Sequence, residues 1–166
     1  MLDDCKSQIK LVNFISNLCA KNNMDFLLRV HPNTRNKCKL DIDMWDSIGN
    51  ILISKGQSFY SSNSNINTYS IIEESDCIVT ISSTVAVESC LKGKDVCICG
   101  YSGLRYYNST KVIKNLNDLE NYLLNNNIPK LEIKEIKSES SRYLMDELQS
   151  GRLLNHYSME KGKFKL

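Results

Sequence analysis

Three consecutive hydroxyl residues, Ser82, Ser83 and Thr84, stand between an apolar, β-branched run, Cys77-Ile78-Val79-Thr80-Ile81, and a helical pattern over Val85 to Leu91. A helix start leaves backbone N–H groups unpaired and carries roughly +0.5 of a charge from the helix dipole. Small hydroxyls beside it add donors without blocking an anion, so the chemistry this run suits is phosphate binding. Serine and threonine are also ordinary helix caps, but one residue suffices for that role. Glu88 lies in the first turns of the same helix, among Val85, Ala86, Val87, Cys90 and Leu91. Its carboxylate either accepts hydrogen bonds from ribose hydroxyls beside a bound phosphate or simply faces solvent. His31, followed by Pro32, closes an earlier apolar run. An imidazole there can donate to a phosphate oxygen, and its charge responds near neutral pH. Arg29, Arg35, Lys37 and Lys39 flank it. They would make a pocket mouth positive, or serve as ordinary soluble surface.

The elements that must position these residues alternate in type. Ile9, Leu11, Val12, Phe14, Ile15, Leu18 and Cys19 form a helical stripe within Asp4 to Lys21, ended by Asn22-Asn23. Asp25 to Val30 reads as a buried strand stopped by His31-Pro32-Asn33, and Thr34 to Lys39 as a polar loop. A second helix is predicted over Asp43 to Ser54 with Gly56 as its stop, then a short strand over Ser58 to Ser61 and a short helix over Thr68 to Ser75. After the central unit come a buried strand at Val96 to Cys99, a loop over Tyr101 to Thr110 holding Gly103 and Arg105, and a short strand at Lys111 to Ile113. A helix over Asn117 to Asn125 and a charged, helix-spaced segment with Ile133, Ile136, Tyr143, Leu144 and Leu148 complete the chain.

Strands alternating with helices predict an α/β fold with a Rossmann-like, doubly wound parallel sheet. All strands would then point their C-terminal ends at one edge, where His31-Pro32, Ser82-Ser83-Thr84 and Gly100-Tyr101 emerge together. Open α/β sheets bind ligands along such an edge. We expect a single Rossmann-like nucleotide-binding domain over residues 1–128 and a C-terminal helical extension over 129–166.

With 166 residues, 42% apolar and 24% charged, the chain is long enough for a real core, and its net charge of +2 does not mark a nucleic-acid scaffold. The basic end, Lys161 to Leu166, reads as a frayed terminus with at most weak attraction to anionic lipid, and His156 as solvated. Seven cysteines, most in apolar runs, and a start at Leu2-Asp3-Asp4 unlike a secretory leader favour a reducing, cytoplasmic setting. Cys97-Ile98-Cys99 puts two thiols on one strand face, but no matching His or Cys pair accompanies them, so no metal site is expected. No apolar run reaches the roughly 20 residues of a membrane span. Neither a GxGxxG nor a GxxxxGK[ST] motif is present, which argues against a dinucleotide or P-loop site, and no cofactor is expected.

The ordered set Arg29-Val30-His31-Pro32, Tyr69, Ser75 to Glu88 and Gly93-Lys94-Asp95-Val96 resembles the C-terminal half of GT-B glycosyltransferases. The likeness is to bacterial capsule and surface-polysaccharide enzymes that use CMP-sugars, including Kdo- and sialic-acid-transferring ones, whose His-Pro and Ser-Ser/Thr motifs are matched by His31-Pro32 and Ser82-Ser83. It covers roughly Asp25 to Tyr101. The resemblance implies that His31 and Ser82-Ser83 contact the nucleotide phosphates and that Glu88 contacts the ribose. UDP-GlcNAc 2-epimerases and CDP-glycerol glycerophosphotransferases share a similar half-fold.

The resemblance implies a glycosyltransferase, or its donor-binding half, with a CMP-sugar donor and a glycan acceptor, acting in the cytoplasm or at the inner face of the membrane. The stretch before Asp25 is too short for the acceptor-binding half. The catalytic base is therefore expected outside this chain, on a separate N-terminal half or another copy, or the gene is truncated or split. Alternatives are a non-catalytic nucleotide- or partner-binding module, a CDP-glycerol glycerophosphotransferase-like domain, and an epimerase-like domain, for which Glu73, Glu74 and Asp76 are the nearest acid–base candidates.

Overall fold

The computed structural model of the chain describes residues 5–125, 132–149, 158–160 and 163–165. It divides into two compact units, Leu2–Thr68 and Tyr69–Leu166. The architecture is mixed α/β, with small parallel sheets alternating with helices.

In the first unit, α1 (Cys5–Lys21) buries Leu11, Val12, Ile15, Leu18 and Cys19, the stripe its spacing predicts. Asn23, at φ 53°, turns the chain out of the helix, and the Asn22 side-chain amide donates to the Leu18 carbonyl at 2.8 Å. Strands β1 (Leu27–Arg29) and β2 (Ser58–Tyr60) pair in parallel with Leu28 opposite Phe59, and α2 (Lys39–Ser54) connects them. Val12, Ile48 and Leu52 form the core, with Phe26, Leu28, Trp45 and Phe59 packed on it. Gly49 lets α2 approach β2: a Cβ there would run into the Phe59 ring. A polar clamp ties α1 to the turn after α2. The Ser16 hydroxyl donates to Gln57 Oε1 at 2.6 Å, and Gln57 Nε2 donates to the Ser16 carbonyl at 2.9 Å.

Helix α2 begins four residues before the predicted Asp43. Its cap, Cys38, makes no side-chain hydrogen bond; the first turn closes through the Asp41 and Ile42 amides on the Cys38 carbonyl. Without a Ser, Thr, Asn or Asp cap the sequence carried no start signal there. The polar stretch before it is also more ordered than a loop, with Pro32–Asn36 forming a 3-10 turn.

The second unit is built on β3 (Cys77–Thr80), β4 (Asp95–Ile98) and β5 (Lys111–Val112), all parallel, with β4 central. The parallel strands therefore hydrogen-bond as a pair and a triplet, where one doubly wound sheet was expected. The helices are α3 (Thr68–Glu74), α4 (Val85–Leu91), α5 (Leu116–Leu124) and α6 (Ile133–Gln149). Asn115 caps α5 by accepting the Asp118 N–H at 2.9 Å. Gly93, at φ 77°, stops α4. Ala86, Val87 and Cys90 of α4 join Val96, Ile98, Leu104, Ile136 and Leu144 in one core, so the C-terminal helix α6 supplies two of its buried residues.

The expected boundary at 128/129 and His156 lie outside the described residues. The basic end is not simply frayed: β6 (Ser158–Glu160) and β7 (Lys163–Lys165) pair antiparallel, Met159 opposite Phe164. Hairpin pairing needs only neighbouring backbone, which a count of charges does not reveal. Among the described residues no helix is long and apolar enough to cross a membrane.

Leu144 is 1% exposed and lies in the core that includes Ala86, Val87 and Cys90 of α4. Leu144→Ala should cost about 2–5 kcal/mol, read as a lowered urea midpoint. A loss below about 1 kcal/mol would mean that α6 does not complete this core.

Candidate functional site

The six residues singled out in the sequence fall in both units, His31 and Pro32 in the first, Ser82, Ser83, Thr84 and Glu88 in the second. In the first unit β1 ends at Arg29, and Val30 is held by its N–H on the Tyr60 carbonyl at 2.9 Å. His31 then caps the 3-10 turn: its Nδ1 accepts the Asn33 N–H at 3.1 Å, and Pro32 occupies the first position of the turn. An accepting Nδ1 fixes the neutral tautomer, so Nε2 carries the proton and is the available donor. Partial burial of the ring, and next the Arg29 guanidinium, hold the imidazole below its ordinary pKa. Burial also lowers Arg29, whose Nε is enclosed without a hydrogen-bond partner. A neutral N–H donor beside a guanidinium with an unsatisfied N–H suits an anion.

In the second unit β3 runs out through Ile81 into exposed Ser82, half-buried Ser83 and exposed Thr84. The cap of α4 is built differently from the expectation. Thr84, the residue before the helix, makes no side-chain cap hydrogen bond. Instead Ser83 Oγ accepts the Val85 N–H at 3.3 Å, and the Ala86 and Val87 amides donate to the Ser83 and Thr84 carbonyls at 3.0 and 2.9 Å. The first amides of α4 are thus already engaged, and what the loop offers an anion is its hydroxyl donors and the backbone preceding the helix.

Glu88 is 9% exposed, one of five consecutive buried residues in α4 (Ala86 to Cys90). A helix-surface carboxylate would be solvated, and this one is not. Its charge reaches Tyr69 of α3: burial first, then Glu88, pushes that phenol's pKa up, against Lys92. Tyr69, not among the singled-out site residues, therefore joins Glu88. The next loop lies close by, because a Cβ on Gly100 would come 2.7 Å from the Ile81 carbonyl oxygen. The loops after β3 and β4 hence meet at one edge of the sheet. A hollow of about 270 Å³ touching Ser75, Asp76, Lys94, Asp95 and Ile136 lies at the other end of these strands.

Glu73 and Glu74 are exposed, and Glu73 pairs with Lys92 at 2.7 Å, so this carboxylate is engaged at the surface. Among the described residues no group of three or more His, Cys, Asp or Glu side chains is placed to hold a metal ion. The Cys97 thiol is pushed far up, chiefly by its hydrogen bond with Cys77 and then by burial. Burial lifts Cys99 to about 12 and Cys90 to about 11. These thiols are neutral core groups and poor nucleophiles. No family profile, no curated protein and no solved structure matches the chain.

Two outcomes follow from these environments. In native protein at pH 8, a thiol reagent should label the exposed Cys38 quickly, whereas Cys90, Cys97 and Cys99 react only on unfolding. Fast native labelling of Cys97 would contradict its burial. His31, one of two histidines, should titrate by NMR with a midpoint below about 6.5, and Arg29→Gln should raise it. In the interval below that value the unfolded chain binds more protons than the folded one. The His31 contribution to stability is therefore complete above about pH 6.5 and is lost as pH falls through the folded midpoint; His31→Gln should flatten that part of the profile.

Proposed function

We propose that this chain binds a nucleotide-activated sugar, with a CMP-sugar as the expected donor, and is the donor-binding part of a glycosyltransferase of bacterial surface-polysaccharide synthesis. The observation that carries the reading is the buried Glu88 carboxylate, one turn into a helix that follows three hydroxyl residues at the C-terminal end of a parallel strand. Its place at the strand-end edge beside Tyr69, next to the hydroxyl run, supports a role toward a ligand there. In this reading Ser82 and Ser83 donate to phosphate oxygens and Glu88 accepts from the ribose hydroxyls. Hydroxyl donors would stabilise the leaving phosphate as its charge develops. The base that activates the acceptor is supplied from outside this chain.

Thermal stabilisation by CMP, CDP, UDP, GDP and their sugars tests this. A ligand at a hundred times its dissociation constant adds about 2.7 kcal/mol, or roughly 5–10 °C for a domain of this size. A shift with cytidine nucleotides is expected, and Ser83→Ala should reduce it. Stabilisation by UDP compounds alone would move the assignment to a UDP-sugar enzyme. No stabilisation by any of them, or an equal shift in the folded Ser83→Ala variant, would overturn it.

A further inference from the structure

The loop after β4 carries an aromatic cluster that the nucleotide reading does not use. Tyr101 and Tyr106 are 57% and 72% exposed. Between them the Arg105 guanidinium lies 5.6 Å from the Tyr101 ring centre and 5.9 Å from that of Tyr106. Arg105 makes no ion pair with a carboxylate among the described residues, whereas nearby Arg142 pairs with Glu139 at 3.2 Å.

The cluster is held in place from below. Gly103–Tyr106 forms a 3-10 turn capped by Ser102, whose Oγ accepts the Leu104 N–H at 3.3 Å. Leu104 is 1% exposed and sits in the core of the second unit. Tyr107 donates its hydroxyl to Asp146 and packs edge-on against Tyr143 at 5.4 Å between ring centres. The inward residues of the loop fix it, and the outward ones are two exposed phenols and a cation without a carboxylate partner among the described residues. Rings with few rotatable bonds, fixed before binding, lose little entropy when they engage a ligand.

We propose that Tyr101, Arg105 and Tyr106 form a subsite for an acidic saccharide, adjoining the Ser82–Thr84 loop. A pyranose ring offers a flat C–H face to a phenol and hydroxyls to its O–H. A sugar carboxylate or phosphate supplies the anion that the Arg105 guanidinium lacks. A single unpaired guanidinium matches one acidic group per sugar; a single-stranded nucleic acid calls for a positive groove along its backbone. The Gly100–Ile81 contact puts this loop beside the loop proposed to hold the donor phosphates. The binding chemistry stands on the cluster itself; that the saccharide belongs to a glycosyl-transfer reaction rests on the proposed function.

Calorimetry on the full chain tests it with oligomers of sialic acid, of galacturonic acid and of a phosphodiester-linked sugar. Maltohexaose serves as the neutral control and oligo(dT) as the nucleic-acid control. At least one acidic oligosaccharide should bind above the neutral control. Arg105→Gln should weaken it by about tenfold or more, and Tyr106→Ala by about three- to tenfold, with melting temperatures unchanged. Absence of binding by every acidic oligosaccharide, tighter binding of oligo(dT), or indifference to both variants overturns the proposal. Nucleotide stabilisation measured on the same proteins separates the two readings. Ser83→Ala should lower the nucleotide shift and leave oligosaccharide binding intact, while Arg105→Gln does the reverse. Nucleotide shifts without saccharide binding defeat this subsite alone. Variant-sensitive saccharide binding without any nucleotide shift upholds the subsite and defeats the donor reading.

Discussion

The packing of α4 against β3, β4 and α6 is the constraint on which the second unit depends. Strands of two to four residues make few ladder bonds, and a seven-residue helix has no stability in isolation. Each holds only because the other covers it. Ala86 and Cys90 are fully excluded from water, as are Cys97 and Ile98 on the central strand. Leu104 from the next loop and Ile136 and Leu144 from α6 close the same core. With so many sides of a short helix covered, even its polar residues go inside. Ser89 satisfies its hydroxyl on the Val85 carbonyl at 2.7 Å, and Glu88 is carried in beside it.

That constraint shapes the sheet edge. With α4 fixed, the loop between β3 and α4 has little freedom, and it spends its Ser83 oxygen and the first helical amides on its own closure. The helix dipole is therefore a weaker part of this edge than the sequence suggested, and hydroxyl groups a larger one. The neighbouring loop is tied down by Leu104 and Tyr107, which leaves its tyrosines and Arg105 facing out. In the first unit the corresponding feature is the His31 cap, where bonding at Nδ1 decides which ring nitrogen is left to donate.

Much of the local structure was legible in the residues themselves. The α1 stripe, the asparagine stop after it, the helix from Val85 to Leu91 and its glycine stop are set by periodicity and backbone preference, which act within a few residues. The start of α2 at Lys39 was not legible, since Cys38 is no cap and Leu40 is 76% exposed. The β6–β7 pairing escaped for a similar reason, because backbone pairing leaves no mark in a charged tail.

The candidate site divides along the same line. The sequence by itself determined that His31, Ser82, Ser83, Thr84 and Tyr101 would follow the ends of strands, because apolar runs and helix signals fix where strands stop. Only the tertiary structure decided that Glu88 is buried, that Tyr69 shares its field, and that Arg105 lies between two exposed rings. Burial and charge pairing depend on which distant surfaces close over a residue, and no pattern within a dozen neighbours encodes that. Periodicity cannot tell a solvated helix face from one covered by α6, whose contribution comes from residues some fifty positions further along the chain.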